Sequence, residues 1–366
     1  MVRWRAGRVE RVVRRWSGCV ELDVALDRPI GDRSEVRALA YPALVGDPAD
    51  GDRVLLTTGA LERGLGTGGY AVVAALPERL PEPAGPASAG GHLVKARYTP
   101  LQAMVLGADE QDSPHHELLR DADDLAGLPV VVADLHSALP AVVAGVRSVC
   151  PDARVAYVMT DGGALPAWFS RTIDGLREAS WLVGCVTVGQ AFGGDLEAVT
   201  VHTGLLAARL VLQADVVVVA QGPGNLGTGT RWGFSGVAAG EAVNAAAVLG
   251  GRPVASLRVS QADARERHRG VSHHSLTAYG RVALAPADVV VPRLPGDFGD
   301  LVSRQAAVLA APAGRHRLVE VATDGLLDVL RATPVRLSTM GRGLDEDAAS
   351  FVAAAAAGVH AAHLLP

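Results

Sequence analysis

The sequence predicts an α/β protein: a doubly wound, mainly parallel sheet with a small N-terminal β-barrel domain. Three observations carry this. Residues 1–76 show short, partly alternating apolar segments and no helical period. Residues 77–91 are rich in proline and glycine. From residue 92, short apolar runs alternate with longer helical ones. At 366 residues the chain has room for two domains. The expected organisation is a barrel over 1–76, a linker over 77–91 and an α/β domain over 92–366.

The barrel strands are expected at 8–13, 19–24, 36–41, 53–57 and 70–74, with Ser17-Gly18 as the first turn and no helix between them. In the second domain the expected strand–helix pairs are 130–133 with 138–149, 155–159 with 166–179, and 182–188 with 195–212. They continue as 216–220 with 235–249, 254–259 with 274–281, and 289–291 with 300–309. Apolar strands that do not alternate are those buried on both faces, as in a parallel sheet. A last, alanine-rich helix is expected after Gly343, with Asp345, Glu346 and Asp347 in its first turn, where acids suit the helix dipole.

Composition narrows the function. The net charge is −5 and aromatic residues make up 4% of the chain, which disfavours a basic nucleic-acid footprint or a base-stacking platform. The cysteines, Cys19, Cys150 and Cys185, are odd in number and widely spaced. They read as reduced thiols in a cytoplasmic protein. No apolar run approaches the roughly 20 residues of a membrane span, and the arginine-rich start lacks the apolar core of a secretory signal.

In a parallel α/β sheet, ligands bind beyond the carboxyl ends of the strands. Five successive ends carry small, polar or titratable residues: Asp134-Leu135-His136-Ser137, Thr160-Asp161-Gly162-Gly163, Gly189-Gln190, the stretch from Gln221 to Thr230, and that from Ser260 to His274. Gly222, Gly224 and Gly227 formally spell GxGxxG, with Asn225 and Thr228 between and after them. Pro223 removes a donor and no acid follows the next strand, so a dinucleotide site fits poorly. A tight backbone turn and an oxyanion or phosphate cradle remain the two readings.

Between Arg258 and His274 lie three histidines (His268, His273, His274) and the arginines Arg265, Arg267 and Arg269, beside Asp263. Guanidinium groups recognise carboxylates and phosphates, and imidazole transfers protons or binds metal. No HxH, HxxxH or HExxH spacing occurs, and adjacent His273 and His274 should point apart. A metal would then have to borrow ligands such as His136 or Asp161. Ser113-Pro114 reads as a helix start, with His115 and His116 following. Lys95 is the sole lysine in an arginine-rich chain, which suggests a task for a compact amine. There is no GxSxG elbow and no cysteine in an acyl-transfer setting.

Several strings together resemble a known family. They are Leu65-Gly66-Thr67-Gly68-Gly69-Tyr70, Arg97-Tyr98-Thr99-Pro100-Leu101-Gln102, the segment from Tyr157 to Pro166, and Gln190-Ala191-Phe192-Gly193-Gly194-Asp195. The 222–230 loop, the stretch from Arg265 to His274 and Ser338-Thr339-Met340-Gly341-Arg342 complete the set. The chain resembles, over nearly its whole length, an uncharacterised bacterial family, domain of unknown function 3866. That resemblance implies membership and transfers no activity.

The sequence thus leads to a cytoplasmic enzyme acting on a small phosphorylated or carboxylated anion, by hydrolysis, lysis or transfer. His136, Asp161, His268, His273 and His274 are the candidates for acid–base or metal-assisted chemistry. Lys95, Gln190, Gly222, Gly224, Asn225, Gly227, Thr228, Arg265 and Arg267 are the candidates for substrate binding. The cofactor is open, with a divalent metal allowed, and a homo-oligomer is allowed. The rival reading is a non-catalytic nucleotide or metabolite sensor that signals through the barrel. A third is an assembly protein whose glycines serve turns only.

Overall fold

The computed structural model describes residues 2–66, 68–81, 91–310 and 315–366. Its contacts divide the chain into two compact units, Met1–Val105 and Leu106–Pro366. The boundary therefore falls later than 77–91, and most of that expected linker (82–90) lies outside the described residues.

In the first unit, β1 (Trp4–Trp16), β2 (Cys19–Ile30), β3 (Arg33–Ala40), β4 (Arg53–Thr57) and β5 (Ala71–Ala75) close a barrel in the order β1-β2-β3-β5-β4. Only β3 and β5 pair in parallel. This is the strand order of a five-stranded Greek-key barrel of the OB type. Val9, Leu22, Val24, Ala38, Val54, Leu56 and Val73 fill it. At Gly7 a Cβ would stand 2.4 Å from the Ala25 carbonyl oxygen, so only glycine lets β1 lie that close to β2. Two single-turn helices, Pro42–Val45 and Gly59–Glu62, interrupt the strands where none was expected. A hairpin of β6 (Leu93–Lys95) and β7 (Ala103–Val105) completes the unit, with Lys95 only 2% exposed.

The second unit holds β8 (Pro129–Val132), β9 (Val155–Thr160), β10 (Gly184–Thr187), β11 (Leu196–Glu197), β12 (Val216–Gln221) and β13 (Arg252–Ser256). A small antiparallel pair, β14 (Val259–Ser260) with β15 (Gly270–Val271), precedes β16 (Asp288–Arg293) and β17 (Arg317–Ala322). The large sheet has the order β11-β10-β9-β12-β8-β13-β16-β17, and every neighbouring pair is parallel.

Alternate residues of the central strands enter different cores, so both faces are covered. Val130, Val132, Val217 and Val219 pack in one core. Val131, Ala133, Val216 and Val218 pack in the other. The helix α1 (Leu139–Val149) lies on the second face, while α2 (Val201–Leu210) and α3 (Ala238–Val248) lie on the first. Helix α4 (His273–Thr277) follows β15, and the long α5 (Ala348–His363) packs beside α1.

Three local expectations differ from the structure. The helix expected over 195–212 gives way at its start to the edge strand β11, and α2 begins only after Thr200, whose side chain accepts from the Thr203 amide. Ser113 starts no helix: the single turn is His116–Leu119, and the Ser113 hydroxyl donates to the Ala108 carbonyl instead. Helix α5 starts at Ala348, so the three acids precede it, and Asp347 accepts from the Ser260 hydroxyl and the Gln261 amide.

Candidate functional site

Strands β8 and β12 are neighbours, yet the chain leaves β8 for one face through α1 and leaves β12 for the other through α3. The crevice between diverging crossovers is where α/β sheets bind ligands. Asp134, two residues beyond the end of β8, stands there at 4% exposure. Its Oδ2 lies 3.3 Å from His274 Nδ1 and 3.6 Å from Arg258 Nη1. Burial alone would raise its pKa. The contact with His274 and the charge of Arg258 outweigh that and hold the carboxyl below its ordinary value.

Three imidazoles converge beside it. Ring centroids of His268, His273 and His274 lie 4.5–5.0 Å apart. Phe234 stacks flat on His274 at 3.7 Å. The adjacent His273 and His274 do not point apart as expected, because the first turn of α4 and the short turn at Glu266–His268 fold all three rings inward. Ser272 organises that turn: its hydroxyl accepts from the His274 amide and pairs with His268 Nδ1 at 2.7 Å. Burial first, and neighbouring positive charge second, lower His268 to about 3 and His273 to about 4. Both rings are neutral at neutral pH. His273 Nε2 is buried without a hydrogen-bond partner among the described residues.

The loop from Gly222 to Phe234 borders this cluster. It is closed on itself by the Thr228 amide on the Gly233 carbonyl and the Ser235 amide on the Leu226 carbonyl. Gly224 and Gly229 take φ of 92° and 78°, conformations that favour glycine. Among the described residues the amides of Gly224, Asn225, Gly227 and Gly229 have no hydrogen-bond partner. A Cβ on Gly229 would lie 3.7 Å from the exposed Arg267 guanidinium, which has no carboxylate partner among the described residues. A cavity of about 260 Å³ opens beside Pro223, Gly224 and Asn225, with His136, Ser137, Thr172 and Arg336 in its wall.

A model of the family described as Protein of unknown function (DUF3866) matches residues 37–358. The chain belongs to that family. No curated protein and no solved structure matches it.

In this DUF3866 protein the expected site residues fall into groups. His268, His273 and His274 cluster with Phe234, and Gly229 stands against Arg267, whereas Gly224 and Asn225 border the cavity that His136 lines and the Gly222 amide is taken by the Thr160 carbonyl. His136 does not join the imidazoles: Nδ1 pairs with the Tyr157 hydroxyl at 3.1 Å and Nε2 with the Ser170 hydroxyl at 2.7 Å. Asp161 is exposed and accepts from the Gln190 amide, so these two residues brace a turn. Neither His136 nor Asp161 supplies a ligand to the histidine cluster. Arg265 is clamped on Asp263 by two parallel hydrogen bonds of 2.9 and 2.8 Å. Asn225 accepts from Gln221 Nε2 and the Ser235 hydroxyl, and the Thr228 hydroxyl lies 3.1 Å from that of Thr230, so both side chains hold the loop together. Lys95 belongs to the first unit.

The residues missed by sequence reasoning are Asp134, Arg258, Gln221, Phe234 and Ser272. Asp134 is the first polar residue after the apolar run 130–133, which was the available signal. Arg258 and Phe234 gave none, because their roles depend on contacts made far along the chain.

Proposed function

We propose that this protein is a cytoplasmic bacterial enzyme that binds a small phosphorylated or carboxylated anion at the β8/β12 crevice and transforms it with its clustered histidines. The observation that carries this reading is a single one. Unpartnered loop amides, an arginine without an acid partner and three clustered imidazoles against a buried carboxylate border one topological switch point. Free amides and a guanidinium are ready donors for an anion. Asp134 and Arg258 position His274, and the rings face the anion's side of the loop as proton carriers or metal ligands.

The cytoplasmic placement rests on three free thiols, and among the described residues no helix is long and apolar enough to cross a membrane. Nucleic acid fits poorly as a partner. Strands β2 and β3, which bind oligonucleotides in barrels of this order, carry Glu21, Asp23, Asp27 and Glu35 among their charged residues.

The test is turnover of phosphate-ester and carboxylate-ester pools by the full chain. His273→Ala should abolish turnover at least about 100-fold while anion binding survives. Arg267→Ala should weaken that binding about tenfold. Binding lost in Arg267→Ala, with no turnover in any pool, would favour the sensor. If neither substitution changes any response, the site assignment fails.

A further inference from the structure

The geometry points to a mononuclear divalent transition-metal site formed by His268, His273 and His274, with zinc as its reference ion. The inference rests on the proposed function only for what fills the open coordination position. One nitrogen of each ring lies within 4.8 Å of one from each of the others. Ligand nitrogens about 2.0–2.1 Å from a tetrahedral ion stand about 3.3 Å apart, so the rings need to close by about 1.5 Å at most. Side-chain rotation in a single helical turn supplies that.

The outer contacts also suit ligation. His268 Nδ1 pairs with Ser272, and His274 Nδ1 lies between Arg258 Nη1 at 3.1 Å and Asp134 Oδ2 at 3.3 Å, which leaves Nε2 of both rings for an ion. With a metal on Nε2, His274 carries its proton on Nδ1 and donates it to Asp134, and Arg258 then serves the carboxylate alone. The third ring brings His273 Nε2, the buried nitrogen without a partner.

Three imidazole ligands leave a position for water or substrate, the pattern of catalytic and not of structural zinc. Arg267, which stands against Gly229 and whose positive charge acts on the His273 ring, would favour an anion there.

The experiment is calorimetric titration of the chelator-stripped full chain with Zn²⁺. Wild type should bind one ion per chain, His115→Gln should match it, and His268→Gln and His273→Gln should each bind at least about 100-fold more weakly. No binding by wild type, or unchanged binding in both cluster variants, overturns the site. Melting curves show whether the variants fold. If either does not, Co²⁺ replaces the comparison: wild type should give the intense visible bands of a four-coordinate site, and a pale, six-coordinate spectrum overturns it. Zinc binding without turnover removes the enzyme and keeps the metal, whereas turnover by the stripped chain does the reverse.

Discussion

His136 and Asp134 sit two residues apart after the same strand, and their surroundings give them opposite roles. The His136 ring is closed in a complete hydrogen-bond chain. Nδ1 donates to the Tyr157 oxygen, the Tyr157 hydroxyl donates to the carbonyls of Ala220 and Gln221, and the Ser170 hydroxyl donates to Nε2 while accepting from the Ile173 amide. Burial lowers this histidine to about 4. Since an unfolded histidine titrates near 6.5, acidification protonates the unfolded state first, and stability falls as pH drops from about 6.5 towards 4. Urea unfolding at pH 7.5 and 5.0 should show His136→Gln losing about 2 kcal/mol less than wild type across that interval. Equal losses would mean that the ring is not held neutral. From sequence, a histidine at a strand end looked catalytic. What makes it structural is Tyr157 and Ser170, whose contacts with it no local pattern encodes.

Among elements, α1 and α5 owe their packing to two glycines. A Cβ on Gly145 would fall 2.0 Å from the Ala355 carbonyl oxygen, and one on Gly358 would fall 2.0 Å from that of Val142. The two helices thus meet backbone to backbone, each supplying the gap the other needs. Gly145→Ala should destabilise the chain by about 1–3 kcal/mol despite alanine's better helix propensity, measurable as a shift in the urea midpoint. A stabilised variant would contradict the close approach. The strands were legible because buried parallel strands write themselves as apolar runs: 155–159 and 216–220 became β9 and β12. Helix starts were less so. The 195–212 segment carries a helical period throughout, but Leu196 and Glu197 pair with β10 and end its reach. The histidine cluster was legible as composition only, because its convergence depends on the β14–β15 pair and the Ser272 cap.

At the scale of the whole molecule, the strand order decides where chemistry is placed. Inserting β12 between β9 and β8 brings the Asp134 strand end beside the Gln221 end, and Gln221 Nε2 donates to the Asp134 carbonyl at 2.8 Å. The glycine loop that follows is then set against α4 and its histidines, so segments over 100 residues apart form one rim. Strand–helix alternation revealed the parallel sheet, but the order of strands is a long-range property that the sequence does not display. On this strand order, the rim should bind an anion. Amide and imidazole NMR of the full chain, titrated with inorganic phosphate, tests this most directly. The predicted result is a set of shifts concentrated at Gly224, Asn225, Gly227, Gly229, Arg267 and the rings of His268, His273 and His274. Saturable shifts confined to other surfaces, or none at these residues, would contradict it.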